Sequence, residues 1–288
     1  MNKRFSARFA VLLATVILLT SMVTTKASAA GQTFSAWMPS VTTTGSKLAM
    51  SWGAVSGAAY YQVRVTNSPN TTLANSYLYT TTSGTTLSSA MNGSLGYRYF
   101  RVYAYNASGT LLGYTNLVGI AKYPSGLVVR MKQDWNLTSS YPDPNGVYAP
   151  NLYQRPTWFV TIDSTVLASY VAPNFKMSEF ILQPGITSAV VDPLMVQHVQ
   201  NARWRYGVMW IESGYRTPAY NASIGASKYS RHLYGDAVDV RASSYDQYTA
   251  LNSVFAAENP SYVESWAEAG MHHWHGDWRY DNKGYTNW

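Results

Sequence analysis

The chain has 288 residues, no cysteine and a formal net charge of +7, a length that accommodates a leader and one or two domains with hydrophobic cores. The lack of cysteine excludes disulfides, thiolate metal ligands and a lipid-modified amino terminus, so any metal must be held by His, Asp or Glu. No Lys/Arg run argues for nucleic acid as a partner.

Lys3, Arg4 and Arg8 precede an apolar run over residues 9–23 and the small-residue site Ala27-Ser28-Ala29. That is the layout of a secretory signal peptide, residues 1–29, and it is short of the roughly 20 apolar residues of a membrane span. An uncleaved anchor is the alternative. The leader holds four cations, Lys3, Arg4, Arg8 and Lys26, and no acid, so cleavage after Ala29 leaves +3 of the original +7. A mild positive balance suits an anionic cell wall. No later segment is apolar enough for a bilayer, and the mature chain is expected to be secreted, extracellular or cell-wall associated, with no stable membrane anchor.

Residues 30–123 are rich in Thr, Ser, Tyr and Val. "KLAMSWGAV", "AAYYQVRVTN", "YRYFRVYAYNASG" and "LLGYTNLVGIAKY" each alternate with period two, at the spacing of an all-β sandwich. "LAMSWGAVSGAAYYQVRV" resembles the second and third strands of a fibronectin type III domain, with Trp52 as the core tryptophan and Tyr61 as the tyrosine that commonly follows. Such domains act as spacers or binding modules. Its tyrosines invite affinity for glycan, although tyrosine is also favoured in strands for packing alone; anionic wall polymers are the other partner expected of this domain, on the chain's positive balance.

Residues 124–172 mix turn formers ("SSYPDPNGVYAPNLYQRP") with stretches that read as strand or short helix ("GLVVRMKQDW", "PTWFVTIDSTVLASYV"), and are expected to form a linker or partly structured extension. From 173 to 288 the pattern is mixed. Asp192 caps a helix that begins at Pro193, includes Leu194, Val196, Val199 and Trp204, and stops at Gly207. "VMWIESGYRTPAYN" reads as a strand and turn, "SRHLYGDAVDVRA" as a turn and strand, and "SYDQYTALNSVFAAENP" as a second helix.

Chemistry concentrates in two places. In "SRHLYGDAVDVRA", Gly235 permits a turn that folds His232 back over the following strand, where Ala237, Asp239 and Arg241 share one face and Val238 and Val240 the other. Asp239 then projects into a polar cleft over an apolar floor and needs a partner, for which a metal ion is one candidate. In "HHWHGDWR", one strand would send His273, His275, Asp277 and Arg279 one way and His272, Trp274, Gly276 and Trp278 the other. One histidine of the first set, with His232 and Asp239, would give a three-ligand site with a position open for water.

"SGYRTPAYN", "SRHLYGDAVD" and "HHWHGD" resemble, in order and spacing, the zinc D-Ala-D-Ala carboxypeptidase family. The middle block fits S-x-H-x-x-G-x-A-x-D at Ser230, His232, Gly235, Ala237 and Asp239, and "NFKMSEF" is similar to the family's opening block. The resemblance implies Zn2+ on His232, Asp239 and His275, and Arg216 stabilising an oxyanion, with Ser230 and Tyr215 of the same blocks touching substrate. For the general base, where many members have an acid three residues before the last ligand, this chain has His272; others use a histidine two before it, and His273, which the strand alternation places beside His275, is the expected catalytic base. The family acts on peptidoglycan stem peptides. The expected fold class is therefore multidomain, a fibronectin type III-like β-sandwich followed by an α+β zinc peptidase domain with a small antiparallel sheet.

Plainer readings stand beside these. His232 and Asp239 could form a structural pair or hold a structural zinc, Arg216 could pair with Glu212 or Asp236, and His272 could be a surface residue. His198 reads as a helix-face residue, and Glu179 carries no assigned chemistry. A non-hydrolytic wall-binding or adhesion protein that keeps the metal site is the rival function.

Overall fold

The computed structural model describes residues 39–281 apart from 71, 92 and 94, so the expected signal peptide lies outside the described residues. The first nine strands are β1 (Ser40–Thr44), β2 (Lys47–Ser51), β3 (Tyr60–Thr66), β4 (Tyr77–Thr82), β5 (Thr86–Ala90), β6 (Gly96–Tyr105), β7 (Leu111–Tyr114), β8 (Val118–Lys122) and β9 (Val128–Gln133). Helix α1 (Trp135–Ser140), β10 (Trp158–Thr161), α2 (Ser164–Ala168), β11 (Tyr170–Ala172), β12 (Phe175–Lys176), α3 (Met177–Phe180) and β13 (Ser188–Ala189) follow.

Strands β1-β2-β5 form one antiparallel sheet; the other runs β13-β10-β9-β8-β6-β3-β4, with β7 also on β6. Strand alternation makes the long sheet serve two cores. Phe100, Val102 and Ala104 of β6 pack with Leu48, Met50, Trp52 and Val63 in the amino-terminal sandwich. Tyr97 and Tyr99 of the same strand join a second core with Trp158, Val196, Trp274 and Trp278. In β9, Val128 belongs to the first core, and Val129 and Met131 to the second. Each such fully buried side chain is worth about 1.5–3 kcal/mol in transfer free energy, so a one-residue slip of β6 would damage both cores at once.

Trp52 and Tyr61 are both buried, edge to face at 5.8 Å, and the Tyr61 hydroxyl accepts from the Val55 amide. "LLGYTNLVGIAKY" forms two strands where one was expected. Thr115 interrupts it, because its Oγ1 accepts from the Val102 amide at 3.1 Å in place of a strand carbonyl. Residues 124–172 supply β9 and β10 to the long sheet and lie against the carboxy-terminal core, where the Tyr141 hydroxyl donates to the Leu233 carbonyl at 2.7 Å.

The rest comprises α4 (Pro193–Tyr206), β14 (Ile211–Ser213), α5 (Pro218–Ser223), β15 (Ala237–Arg241), α6 (Tyr245–Ala256), β16 (Tyr262–Val263) and β17 (His273–Asp277). The signals that define α4 act as read: the Asp192 carboxylate accepts from the Leu194 amide at 2.9 Å, Pro193 is the first residue, and Gly207 ends it at φ 98°. Trp204 turns outward, 64% exposed, whereas Met195, Val196 and Val199 are buried. The short helix α5, expected as a turn, is started by the Thr217 side chain and Pro218. Strand β17 is shorter than the run "HHWHGDWR", although the Trp278 amide continues its register with β15 by donating to the Asp236 carbonyl. The small sheet has the order β14-β15-β17-β16. Among the described residues no helix is long and apolar enough to cross a membrane.

Candidate metal centre

On β15 the alternation works as read: Val238 and Val240 are fully buried in the core, and Asp239 lies on the opposite face in the cleft. The register of β15 against β17 sets Asp239 opposite His275, and Arg241 opposite His273. His232 arrives from a 3-10 turn, Arg231–Tyr234, that ends at Gly235. Gly235 has φ +71°, and a Cβ there would lie 2.1 Å from the Val190 carbonyl oxygen. No other residue fits that turn without moving the backbone.

Three donor atoms converge. His232 Nε2 lies 3.2 Å from Asp239 Oδ1 and 3.2 Å from His275 Nδ1, and the latter two atoms are 2.7 Å apart. All three residues are buried. A carbonyl oxygen can only accept, so His232 Nδ1 donates to Gly214 O at 2.6 Å, which leaves the Nε2 lone pair facing the other two donors. The second Asp239 oxygen accepts from Arg216 Nη2 at 2.5 Å, and Arg216 Nε is held by Ser213 Oγ at 2.8 Å. Burial pushes the His232 pKa down. Burial alone would raise Asp239, but His232 and His275 outweigh it and hold the carboxyl well below its ordinary range. At His275 the balance reverses, with the Asp239 carboxylate raising the imidazole against the effect of burial. A deprotonated carboxylate and two converging nitrogens are what a divalent cation requires.

These residues line a cleft of about 460 Å³ together with Tyr153, Ser230, Arg231, Tyr262, Glu264, His273 and Arg279. His273 is mostly buried, with Nε2 3.6 Å from Asp239 Oδ1. Ser230 is at the cleft wall, whereas the expected substrate contact Tyr215 is not: it is 2% exposed, with its hydroxyl 3.2 Å from that of Tyr141. The reason is local. The Tyr215 amide donates to the Phe180 carbonyl, which turns the ring into the core under the cleft floor. Arg216 pairs with neither Glu212 nor Asp236, because those acids are taken by Arg241 and Arg231. His272 is exposed. His198 bridges Glu258 and Asp281 at 2.9 and 2.7 Å, remote in role from the cleft, and Glu179 accepts from the Lys176 amide.

Glu264 was not foreseen. It follows β16, and its amide donates to the His275 carbonyl, extending that strand's pairing with β17 so that its carboxylate stands 3.8 Å from His273 Nε2. The neighbouring His273 imidazole holds its carboxyl below the ordinary value. The only trace in the sequence is the alternation of "YVE", which places Tyr262 and Glu264 on one face.

Residues 173–272 match a family model described as Peptidase M15, over the segment that carries Arg216, His232 and Asp239. The match and the motifs agree on a peptidase-type domain that resembles the zinc D-Ala-D-Ala carboxypeptidases. No curated protein matches. Among solved structures, an Fn3-like protein from Clostridium thermocellum is similar at 17% identity, over 29% of this chain and 88% of that one, with a TM-score of 0.24. A human fibronectin type III domain is similar at 16% identity over 34% and 91%, with a TM-score of 0.25. Pectate lyase PelI from Erwinia chrysanthemi gives 10% identity and a TM-score of 0.24, over 29% of this chain and 26% of the lyase. The chain thus spans about a quarter of the lyase's length.

Proposed function

We propose that this chain is a secreted, zinc-dependent peptidase that hydrolyses peptide bonds in peptidoglycan stem peptides or their cross-links. The observation that carries the proposal is the convergence of His232 Nε2, Asp239 Oδ1 and His275 Nδ1 in the floor of an open cleft. Two imidazoles and a carboxylate fit zinc in its catalytic form, with three protein ligands and an open position. The Gly214 carbonyl on His232, and Arg216 on the free Asp239 oxygen, supply the outer hydrogen bonds that orient such ligands. Zinc held there would polarise the scissile carbonyl and make the attacking water more acidic.

The protein's own groups do the rest. His273 Nε2 accepts a proton from the attacking water and returns it to the departing amine as the carbon–nitrogen bond breaks. Glu264, at 3.8 Å, stabilises the positive charge that the ring gains on taking the proton and compensates for the absence of an acid at position 272. Arg216, held on two sides, presents its remaining donors to the oxyanion that forms on the carbonyl oxygen. Ser230 and Tyr153 line the channel by which a peptide reaches these groups. Secretion follows from the leader at residues 1–29, and glycan or anionic wall polymer is the partner proposed for the amino-terminal sandwich.

The test is zinc content of the purified mature chain, then digestion of peptidoglycan by it and by His275→Ala and His273→Ala, with products read by mass spectrometry. Bound zinc with released muropeptide fragments or D-alanine supports the proposal. Zinc with no product favours the non-hydrolytic wall-binding protein, and absence of zinc refutes the site itself.

A further inference from the structure

Beside the cleft that His273 lines, Glu212, His272 and His273 bring one donor atom each within 4.8 Å of the others. His272 Nδ1 is 3.0 Å from His273 Nδ1 and 3.6 Å from Glu212 Oε2. Donors on a tetrahedral ion at about 2.0–2.1 Å stand roughly 3.3 Å apart, so these spacings fit one small divalent cation. The backbone assembles the cluster deliberately. An irregularity in β14 between Ile211 and Ser213 sets Glu212 out of the ladder. Gly270 and Met271, at φ 62° and 60°, turn the chain so that His272 lies on the same side as His273 instead of opposite. Arg241 holds only Oε1 of Glu212, at 2.6 Å, which leaves Oε2 for another partner.

His273 belongs to both groups. Its Nδ1 faces His272, and its Nε2 faces Asp239 and Glu264. We propose that Glu212, His272 and His273 form a second, weaker and inhibitory divalent-cation site beside the cleft, one that takes zinc when free zinc is abundant. A cation on His273 Nδ1 uses the lone pair of that nitrogen and leaves the ring proton on Nε2, the atom that must accept a proton from water. This inference rests on the peptidase reading above for its consequence, but not for its binding.

The decisive measurement is equilibrium loading of the tag-free, metal-stripped mature protein over a range of free Zn2+, with bound zinc counted by elemental analysis and peptidoglycan hydrolysis followed at each concentration. Two binding steps are expected, and hydrolysis should appear with the first and decline with the second. His272→Ala should keep the first step and the basal hydrolysis, while the second step moves to at least about tenfold higher zinc. Glu212→Gln should act in the same direction, and Arg241→Gln, which frees the carboxylate, in the opposite one. A single zinc at every concentration, or an unmoved second step in His272→Ala, overturns the site. Hydrolysis indifferent to the second step overturns its inhibitory role. Absence of the first step would instead refute the peptidase reading, and the same curve separates that failure from the others.

Discussion

His232 and Gly214 are joined by a hydrogen bond of 2.6 Å from imidazole Nδ1 to carbonyl oxygen, and this bond decides that Nε2 of His232 faces Asp239 and His275. Gly214 can make it only because it has no side chain. A Cβ at that position would lie 2.5 Å from the Phe180 carbonyl oxygen and 2.8 Å from its Cα. Gly214→Ala should therefore displace the carbonyl and weaken zinc binding about 10–100-fold, in a chain whose circular dichroism still reports folded sheet. Chelator competition measures this, and unchanged affinity would show that the carbonyl does not orient the ligand.

Metal removal should cost stability as well as activity. The converged donors include a buried carboxylate that Arg216 meets at Oδ2, which leaves Oδ1 facing the two imidazoles where a metal ion would add its charge. Zinc at about 100 times its dissociation constant should stabilise the folded domain by about 2.7 kcal/mol. His275→Ala should abolish most of that gain. Thermal melts with and without chelator, repeated for the variant, provide the comparison.

Much of the centre was legible because its geometry is local or strand-periodic. Gly235 marks a turn, the alternation Val238-Asp239-Val240 assigns faces, and His273-Trp274-His275 separates two cleft residues from a core tryptophan. What escaped depends on pairing between distant segments. Glu264 is eleven residues from His275 in the chain, and only the β16–β17 pairing makes them neighbours. Tyr215 sits in a motif beside Arg216, but one backbone bond to Phe180 turns it inward. Residues 124–172 look like turns and fragments because β9 and β10 are short pieces of a sheet whose other strands come from elsewhere.

Glu264→Gln should separate support of the His273 charge from metal binding. The amide keeps the size of the side chain but cannot hold His273 by charge, and Glu264 is not among the three converging donors. We expect kcat to fall about 10–100-fold with KM and zinc content nearly unchanged, as for loss of an interaction made only once the ring is protonated. Glu264→Asp should recover part of the rate. An equal loss of zinc in Glu264→Gln would show that the carboxylate belongs to the metal site instead.

Behind the cleft wall, Arg231 and Asp236 form a buried pair, 4% and 0% exposed, with Arg231 Nε 2.9 Å from Asp236 Oδ1. Removing one member leaves the other charge uncompensated away from water. Asp236→Asn should destabilise by about 3–5 kcal/mol, and Arg231→Met with Asp236→Asn together by less than Asp236→Asn alone. Chemical denaturation of the three variants checks the order, and a double variant worse than the single would exclude the pair as the cause.

Acid should loosen a second joint, between α4 and the loop after α6. Glu258 is 6% exposed and accepts from His198 and Asn201, each at 2.9 Å, and from Arg205. Burial pushes its pKa up, but the three donors outweigh burial and hold the carboxyl below its ordinary value. A group with a depressed folded pKa contributes stability that is fully present above the unfolded value, about 4.3, and is lost as pH falls through the folded one. Glu258→Gln should thus melt below the wild type at pH 7, by the equivalent of about 1–2 kcal/mol. The gap between the two should narrow as pH falls below about 4.3, because the protonated wild-type carboxyl then resembles the amide. Melting temperatures of both proteins from pH 7 down to pH 3 test the sign. A gap that stays constant across that range would mean that the carboxylate's charge contributes nothing to this joint, and that packing of the Glu258 side chain alone holds it.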